Sequence, residues 1–315
     1  MTSFKRISTY RTALMGVAML SVFCFHAFSS LTPSWIHALC SKGYRGVDVF
    51  LFLSAIGLCF SMEHSGGKLA FYKRRFQRIF PTYWLIMSCV YLFVATCNKL
   101  GIMPDNYYRY PHTIWEIIQA YTTIGFWTKD GVFYLWYIPA LIIFYIAFPF
   151  IYELFRKSRW FALLCLLPSL LIMYITMPFT ELQLLFIKRI GIFMFGVVFY
   201  PLIKQERQLP TWSIAIGFFL MTLYGYKAIA NLEDLPIQVV EDVLFYMSLP
   251  FILLSITTLF RCSFVEKALA FVGTVSLEFY LVHEFILRLM GTASNFIIPR
   301  VYLRKRQLDL PFHSL

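Results

Sequence analysis

Nine apolar segments, each close to the length of a membrane-crossing helix, constrain the fold of this chain more than any other feature. A helix that spans a bilayer needs about 20 mostly apolar residues, within a range of about 17–25. The intervals between the segments are too short for a separate folded domain. We therefore predict an all-α, polytopic transmembrane helical bundle of nine or ten spans that forms a single domain over residues 1–315. The segments lie near 12–31, 45–62, 81–98, 134–152, 160–177, 185–203, 211–229, 242–260 and 268–287.

The composition agrees with a chain that is almost entirely embedded in a membrane. It is 59% hydrophobic and 14% charged, whereas a soluble domain is about 45–50% apolar and about 25% charged. The formal net charge of +12 does not indicate nucleic-acid binding, because Lys and Arg accumulate on the cytoplasmic side of membrane proteins. With a cytoplasmic N-terminus, the inner segments hold 15 Lys and Arg and the outer segments hold 6. This bias predicts a multi-pass protein of the cell (plasma or inner) membrane with its N-terminus inside.

Two stretches outside the spans leave alternatives open. Residues 114–121 are moderately amphipathic and predict either an interfacial helix or a surface loop. The tail, residues 289–315, lies outside the membrane if there are nine spans, yet it carries Arg304-Lys305-Arg306. A tenth crossing over about 289–303 would bring these cations inside, although that stretch contains Pro299 and Arg300.

The seven cysteines show neither a CxxC motif nor a Cys/His ligand spacing. We therefore expect no disulfide framework and no metal site. Cys40 is expected on the outer side, where the sequence suggests no partner for it. The first apolar run follows a basic start but lacks a cleavage site of small residues, and we interpret it as a retained helix.

Ionisable side chains at membrane depth are expensive and mark functional sites by default. At about 1.5 Å of rise per residue, His26 lies about 22 Å beyond Arg11. Asp48 lies about 5 Å from the outer face, and His283 with Glu284 lies about 22 Å along the ninth helix, which also runs outward. These helices thus place polar groups in one layer. Each group also has a plain structural interpretation: His26 as a packing histidine, Asp48 and Arg189 as interfacial residues, and one of His283 and Glu284 as part of an ion pair.

The stretch from Tyr72 to Pro81 is dense in cations. Arg75 and Arg78 are three residues apart, so they share a face of a helix. They are suited to holding the phosphates of a nucleotide-like cofactor. The alternative is an anchor on anionic lipid, which their charge alone favours.

Six motifs together resemble the acyltransferase 3 family of integral membrane O-acyltransferases. They cover most of the chain, and their order is that of the family. They are Val22–Ala27 with His26, Gly46–Ser54 with Asp48, Arg75–Trp84, Leu135–Pro139 with Tyr145 and Pro149, Arg189 with Phe193 and Gly196, and Gly273–Glu284. Two positions depart from the family pattern: the arginine expected eleven residues before the histidine is Met15, with Arg11 one turn earlier, and Ser54 is followed by Ala55.

The resemblance implies ten helices, a cytoplasmic acyl-CoA donor and an outer acceptor that is usually a sugar hydroxyl. It assigns catalysis to His26 as general base, with Asp48 orienting it and His283 or Arg189 stabilising an oxyanion. Arg11, Arg75 and Arg78 would hold the phosphates of acyl-CoA, expected to be acetyl-CoA, while Arg189, Glu284 and Trp136 would contact the substrate.

The function expected from this resemblance is O-acetyl transfer to a carbohydrate or glycolipid on the outer side, without a metal or a nucleic-acid partner. Two alternatives remain open at this point. A transporter or flippase of a glycan or small molecule would suit intramembrane charges equally well and predicts internal repeats or broken helices. The second alternative is an inactive family member that serves in assembly, because the sequence pattern of the last helix is weak.

Overall fold

The structure, a computed structural model, describes residues 2–28, 34–102, 110–128, 135–158, 180–210, 212–229, 235–260 and 263–297. These residues are almost all helical, which confirms the predicted all-α class. A short antiparallel ladder pairs Thr2–Ser3 (β1) with Gln208–Leu209 (β2). The helices are α1 (Lys5–Thr9), α2 (Arg11–Phe28), α3 (Ser34–Ser41), α4 (Gly46–Glu63), α5 (Lys68–Lys99), α6 (Ile114–Thr122), α7 (Gly125–Thr128), α8 (Tyr137–Lys157), α9 (Glu181–Lys204), α10 (Ser213–Ile229), α11 (Leu235–Leu259), α12 (Ser263–Thr274) and α13 (Ser276–Ile297).

Within the described ranges, six helices are long and apolar enough to cross a membrane. They are α2, α4 with the preceding 3-10 turn Gly43–Arg45, α5, α8, α9 and α11. Each coincides with a predicted span, so the chain is a multi-pass helical membrane protein. The predicted span at 160–177 lies outside the described residues. The predicted span at 211–229 corresponds to α10, an apolar helix of 17 residues.

Helix α5 begins thirteen residues before the predicted span at 81–98. It runs unbroken for 32 residues, with Pro81 inside it. Its start is set by Gly67, whose positive φ of 119° suits a residue without a side chain. The whole basic stretch is therefore helical, and Arg75 and Arg78 do lie on one helix face.

The predicted span at 268–287 is not a single helix, because the segment is broken into α12 and α13, which together are long and apolar enough to cross a membrane and are bent by 74°. The Thr274 hydroxyl donates to the Ala270 carbonyl at 2.8 Å, and such bonds from a side chain to the preceding turn bend helices. Helix α13 then continues to Ile297, so the start of the candidate tenth crossing at 289–303 belongs to α13 and its end lies outside the described residues. One broken helix is a feature that the transporter alternative predicted.

Helices α2 and α12 cross in very close contact at two glycines. A Cβ on Gly16 would overlap the Leu269 carbonyl, and a Cβ on Gly273 would overlap the Thr12 carbonyl. Small residues at such a crossing let two backbones approach, as is common between membrane helices. Further along α2, the Phe23 ring packs on Phe279, with centroids 5.5 Å apart. Both halves of the broken segment therefore pack along α2.

The amphipathic stretch at 114–121 forms a helix, α6, rather than an irregular loop. Thr113 and Glu116 close a capping box at its start. One face contacts α5, where the Tyr83 hydroxyl donates to the Ala120 carbonyl at 2.8 Å. The opposite face leaves large apolar side chains exposed, which suits contact with lipid. These are Ile114, Trp115, Ile117 and Ile118.

Cys40, for which the sequence suggested no partner, lies on α3 beside Cys24 of α2. Both thiols are free in this structure. The contact ties the short helix α3 to the end of α2 that carries His26.

Candidate active site

His26 and His283 meet at the C-terminal end of α2. Their ring centroids are 5.1 Å apart and their planes are inclined at 62°. The two residues come from separate helices, and each lies ten residues after the glycine at the α2–α12 crossing (16 to 26, and 273 to 283). His26 is exposed, whereas His283 is only 2% exposed. The glycine crossing therefore brings an accessible and a buried imidazole together.

The tautomer of neutral His283 follows from its hydrogen bond. Its Nδ1 lies 2.8 Å from the Tyr280 carbonyl oxygen. A carbonyl only accepts, so Nδ1 carries the hydrogen and Nε2 keeps its lone pair. Nε2 is buried without a hydrogen-bond partner among the described residues. A neutral His283 thus presents a free proton acceptor next to His26.

Glu284, rather than the adjacent His283, is the residue that forms an ion pair. Its carboxylate forms an ion pair with Arg288, one turn further along α13, with Arg288 Nε donating to Glu284 Oε1 at 3.1 Å. Glu284 is also an electrostatic neighbour of His26. Of these two adjacent residues, His283 contacts His26 directly and Glu284 adds negative charge nearby.

Asp48 is held by arginines. Its carboxylate lies 3.1 Å from Nη1 of Arg45 and 3.3 Å from Nε of Arg189. Arg45 also pairs with Asp242 at 2.7 Å. Asp48 is fully buried, and no hydrogen bond or ion pair joins it to His26 within the described ranges. The network instead ties α4 to α9 and α11, which positions Asp48 as a junction between helices.

Trp136 connects this network to the histidines. The Arg189 guanidinium lies over the Trp136 ring, 4.8 Å from its centroid. The next residue, Tyr137, packs its ring 5.0 Å from Tyr280, and the Tyr280 ring lies 5.4 Å from His283. A continuous chain of contacts therefore leads from Asp48 through Trp136 and Tyr280 to the histidine pair.

Arg11, Arg75 and Arg78 form a cluster, here called the arginine cluster, at the opposite end of α2. Arg75 and Arg78 are electrostatic neighbours of Arg11. The Arg11 guanidinium lies against Gly57, where a Cβ would come within 2.5 Å of Cζ, and its Nε donates to the Leu53 carbonyl at 3.2 Å. Arg75 donates to the Ser61 hydroxyl at 2.6 Å. None of the three pairs with a carboxylate in the described part of the chain, so their positive charge is uncompensated.

A line of polar side chains runs between the two ends, and its members lie in the sequence motifs although the sequence predicted no role for them. Tyr145 is an electrostatic neighbour of both Arg11 and Arg75. Tyr137, eight residues earlier on α8, lies within hydrogen-bonding reach of Ser54, and the Tyr280 side chain reaches the Tyr137 backbone. Their presence in the motifs was one signal, and the spacing of Tyr280 and His283, three residues apart on one helix face, was another.

Comparison with known proteins agrees with this architecture. A family model described as an acyltransferase domain, that of the acyltransferase 3 family, matches residues 12–305. A protein of Acidianus two-tailed virus named "Putative acetyltransferase ORF330" is 23% identical over 94% of this chain and 92% of its own length. Nodulation protein 10 of Rhizobium leguminosarum bv. viciae is 26% identical over 42% of this chain and 40% of its own length. No solved structure matches the chain.

The helical bundle and its buried polar site define a multi-pass membrane enzyme. Because the family model covers most of its length, the chain belongs to the acyltransferase 3 family, and it is a membrane acyltransferase. This assignment confirms the family predicted from the six motifs. It replaces the transporter alternative, although the broken helix that the alternative predicted is present.

Proposed function

We propose that the protein transfers an acetyl group from acetyl-CoA, bound at the arginine cluster, to a carbohydrate hydroxyl that enters at the histidine end. The observation that carries this proposal is the buried line of tyrosines between three unpaired arginines and a histidine pair. The arginine end would face the cytoplasm of a cell-membrane protein, in keeping with the charge bias. The acetyltransferase name of the viral relative supports acetyl as the transferred group.

The arginine cluster suits an anionic donor substrate because its cations have no carboxylate partners among the described residues. Like charges held close together are unfavourable unless an anion compensates them. Guanidinium groups bind phosphate oxygens through two parallel hydrogen bonds. The diphosphate of CoA supplies such an anion, and its thioester arm would extend along Tyr145, Tyr137 and Tyr280 toward His26.

His26 would act as the general base, because an imidazole titrates near neutral pH and this one is accessible. The acceptor hydroxyl oxygen attacks the thioester carbon while His26 takes the hydroxyl proton. The new C–O bond forms, the C–S bond breaks, and the proton passes from His26 to the departing thiolate to give free CoA. His283 would hold the His26 ring in position by packing against it.

The acceptor would meet Arg189, Trp136 and Glu284 around the same histidines. Trp136 offers an aromatic face that is only partly buried, and Glu284 offers carboxylate oxygens for sugar hydroxyl groups. Arg189 is largely engaged with Asp48 and Trp136, so we assign it mainly to holding this wall of the site. Asp48 would then contribute to catalysis by positioning Arg189 rather than by orienting His26.

The test is acetyl transfer by the full chain reconstituted in vesicles, with labelled acetyl-CoA supplied on one side. The His26→Ala variant is expected to insert normally and lose at least about 100-fold in transfer rate. The Arg75→Ala variant is expected to raise the KM for acetyl-CoA about tenfold, while Lys73→Ala, an exposed cation on the same helix, leaves it unchanged. A fully active His26→Ala protein would overturn the assignment. Mass spectrometry of cell-surface glycans with and without the gene identifies the acceptor.

A further inference from the structure

A cavity of about 450 Å³ lies beside the arginine cluster and takes no part in the site described so far. It sits where the C-terminal ends of α4, α8 and α9 meet, and we call it the terminal pocket. Its volume falls in the range of about 300–1,000 Å³ that small-molecule sites occupy. The residues that give it its chemistry are Glu63, Tyr152, Phe155, Arg156, Tyr200 and Lys204.

One face of α8 leads from the arginine cluster into the terminal pocket. Tyr152 and Arg156 follow Tyr145 by seven and eleven residues, so all three lie on the same side of the helix. At the helical rise they are about 10 Å and about 16 Å beyond Tyr145. A ligand with its anionic middle at the arginine cluster therefore reaches the terminal pocket with its outer end.

Glu63 provides acceptor oxygens inside the terminal pocket. Lys204 Nζ lies 2.7 Å from both carboxylate oxygens, and the Tyr152 hydroxyl donates to Oε1 at 3.1 Å. The Tyr200 hydroxyl also lies within hydrogen-bonding reach of Glu63, so the carboxylate, with about four lone-pair sites, holds Lys204, Tyr152 and Tyr200 around the pocket. The charge of Glu63 is balanced by Lys204.

Arg156 adds a cation to the terminal pocket that is not part of the Glu63–Lys204 ion pair. It is exposed, and no carboxylate pairs with it in the part of the chain that the structure describes. The rings of Tyr152 and Phe155 line the same space. The terminal pocket thus combines flat aromatic surface and a free cation, which are the groups that recognise a base and a phosphate.

We propose that the terminal pocket binds a purine nucleotide. The inference rests on the proposed function, in which this nucleotide is the adenosine 3′-phosphate end of the donor. The base lies against the Tyr152 ring, and the 3′-phosphate contacts Arg156. The pocket then anchors the end of the donor that lies farthest from the transferred group.

The experiment measures binding of three ligands to the detergent-purified full chain by calorimetry: CoA, CoA lacking the 3′-phosphate, and adenosine 3′,5′-bisphosphate. Arg156→Ala is expected to weaken CoA and the bisphosphate about tenfold and to leave the ligand without the 3′-phosphate within about twofold. Lys157→Ala, the neighbouring exposed cation, is the matched control and leaves all three unchanged. Tyr152→Ala weakens all three about tenfold, and Tyr152→Phe, which keeps the ring, does not.

Equal affinity of the wild type and the Arg156→Ala variant for CoA would overturn the proposal, as would an equal loss for all three ligands in that variant. Tyr152→Leu, closer in volume to tyrosine, replaces Tyr152→Ala if that protein is not monodisperse. The assay needs no acetyl transfer, so binding that responds to these variants in a protein without transferase activity would support the pocket and overturn the proposed function. If the Arg156→Ala and Tyr152→Ala variants transfer acetyl groups from acetyl-CoA with an unchanged KM, the proposed function is supported and the role of the pocket is overturned.

Discussion

The imidazole rings of His26 and His283 lie 5.1 Å apart although 257 positions separate them in the chain. The buried ring of His283 has its Nδ1 hydrogen committed to the Tyr280 carbonyl, so its Nε2 remains an acceptor. The accessible ring of His26 is left to face a substrate. This arrangement gives two side chains of the same type different hydrogen bonding and different access to a substrate.

Replacing His283 by alanine is expected to lower the turnover number about 100-fold, because His26 loses the ring that packs against it and positions it. The KM for acetyl-CoA is expected to stay within about twofold, since the arginine cluster is untouched. Steady-state transfer kinetics measure both.

The control for this prediction is His64→Ala. His64 Nδ1 also contacts a backbone carbonyl, that of Phe60 at 2.8 Å, but His64 is exposed at the opposite end of the bundle. This variant should retain full activity. A His283→Ala protein with normal turnover would remove His283 from the mechanism.

Replacing Asp48 by asparagine is expected to destabilise the protein by about 3 kcal/mol, because the change leaves the Arg189 charge buried without its partner. The side chains of Asp48 and Arg189 are only 1% and 9% exposed. Thermal unfolding in detergent measures the effect. Glu206→Gln, which breaks the exposed pair with Lys5, should change stability by less than about 1 kcal/mol.

An Asp48→Asn protein that is as stable as the wild type but inactive would contradict this structural role. It would return Asp48 to the catalytic role that the family resemblance implies for it.

Replacing Gly273 by valine is expected to destabilise the fold by about 1–3 kcal/mol, because the new side chain overlaps the Thr12 carbonyl at the α2–α12 crossing. The same change should lower transfer activity, since the crossing sets the approach of His26 and His283. Unfolding curves and transfer rates are measured on the same preparation.

Gly66→Ala is the control for the crossing. A Cβ on Gly66 would meet no atom within 4 Å, so both stability and activity should be unchanged. A stable and active Gly273→Val protein would show that the close glycine contact is not needed to align the histidines.

The sequence by itself determined the class of fold and the family. Apolar segments of bilayer length can satisfy their backbone groups only as helices, so their number and spacing predict an all-α bundle. The order of the six motifs then identified the family, which a model covering residues 12–305 confirms. Local signals also predicted that Arg75 and Arg78 share a helix face.

Only the tertiary structure decided which polar groups meet. The sequence placed Asp48 and His26 at similar depth, but depth along a helix does not fix the direction of a side chain, and Asp48 contacts Arg45 and Arg189 instead. Nor could periodicity show the break before Ser276, since a side-chain hydrogen bond within an apolar helix leaves the hydrophobic pattern intact. The meeting of His26 and His283 depends on two glycines in distant segments, and such a contact is a property of packing rather than of local sequence.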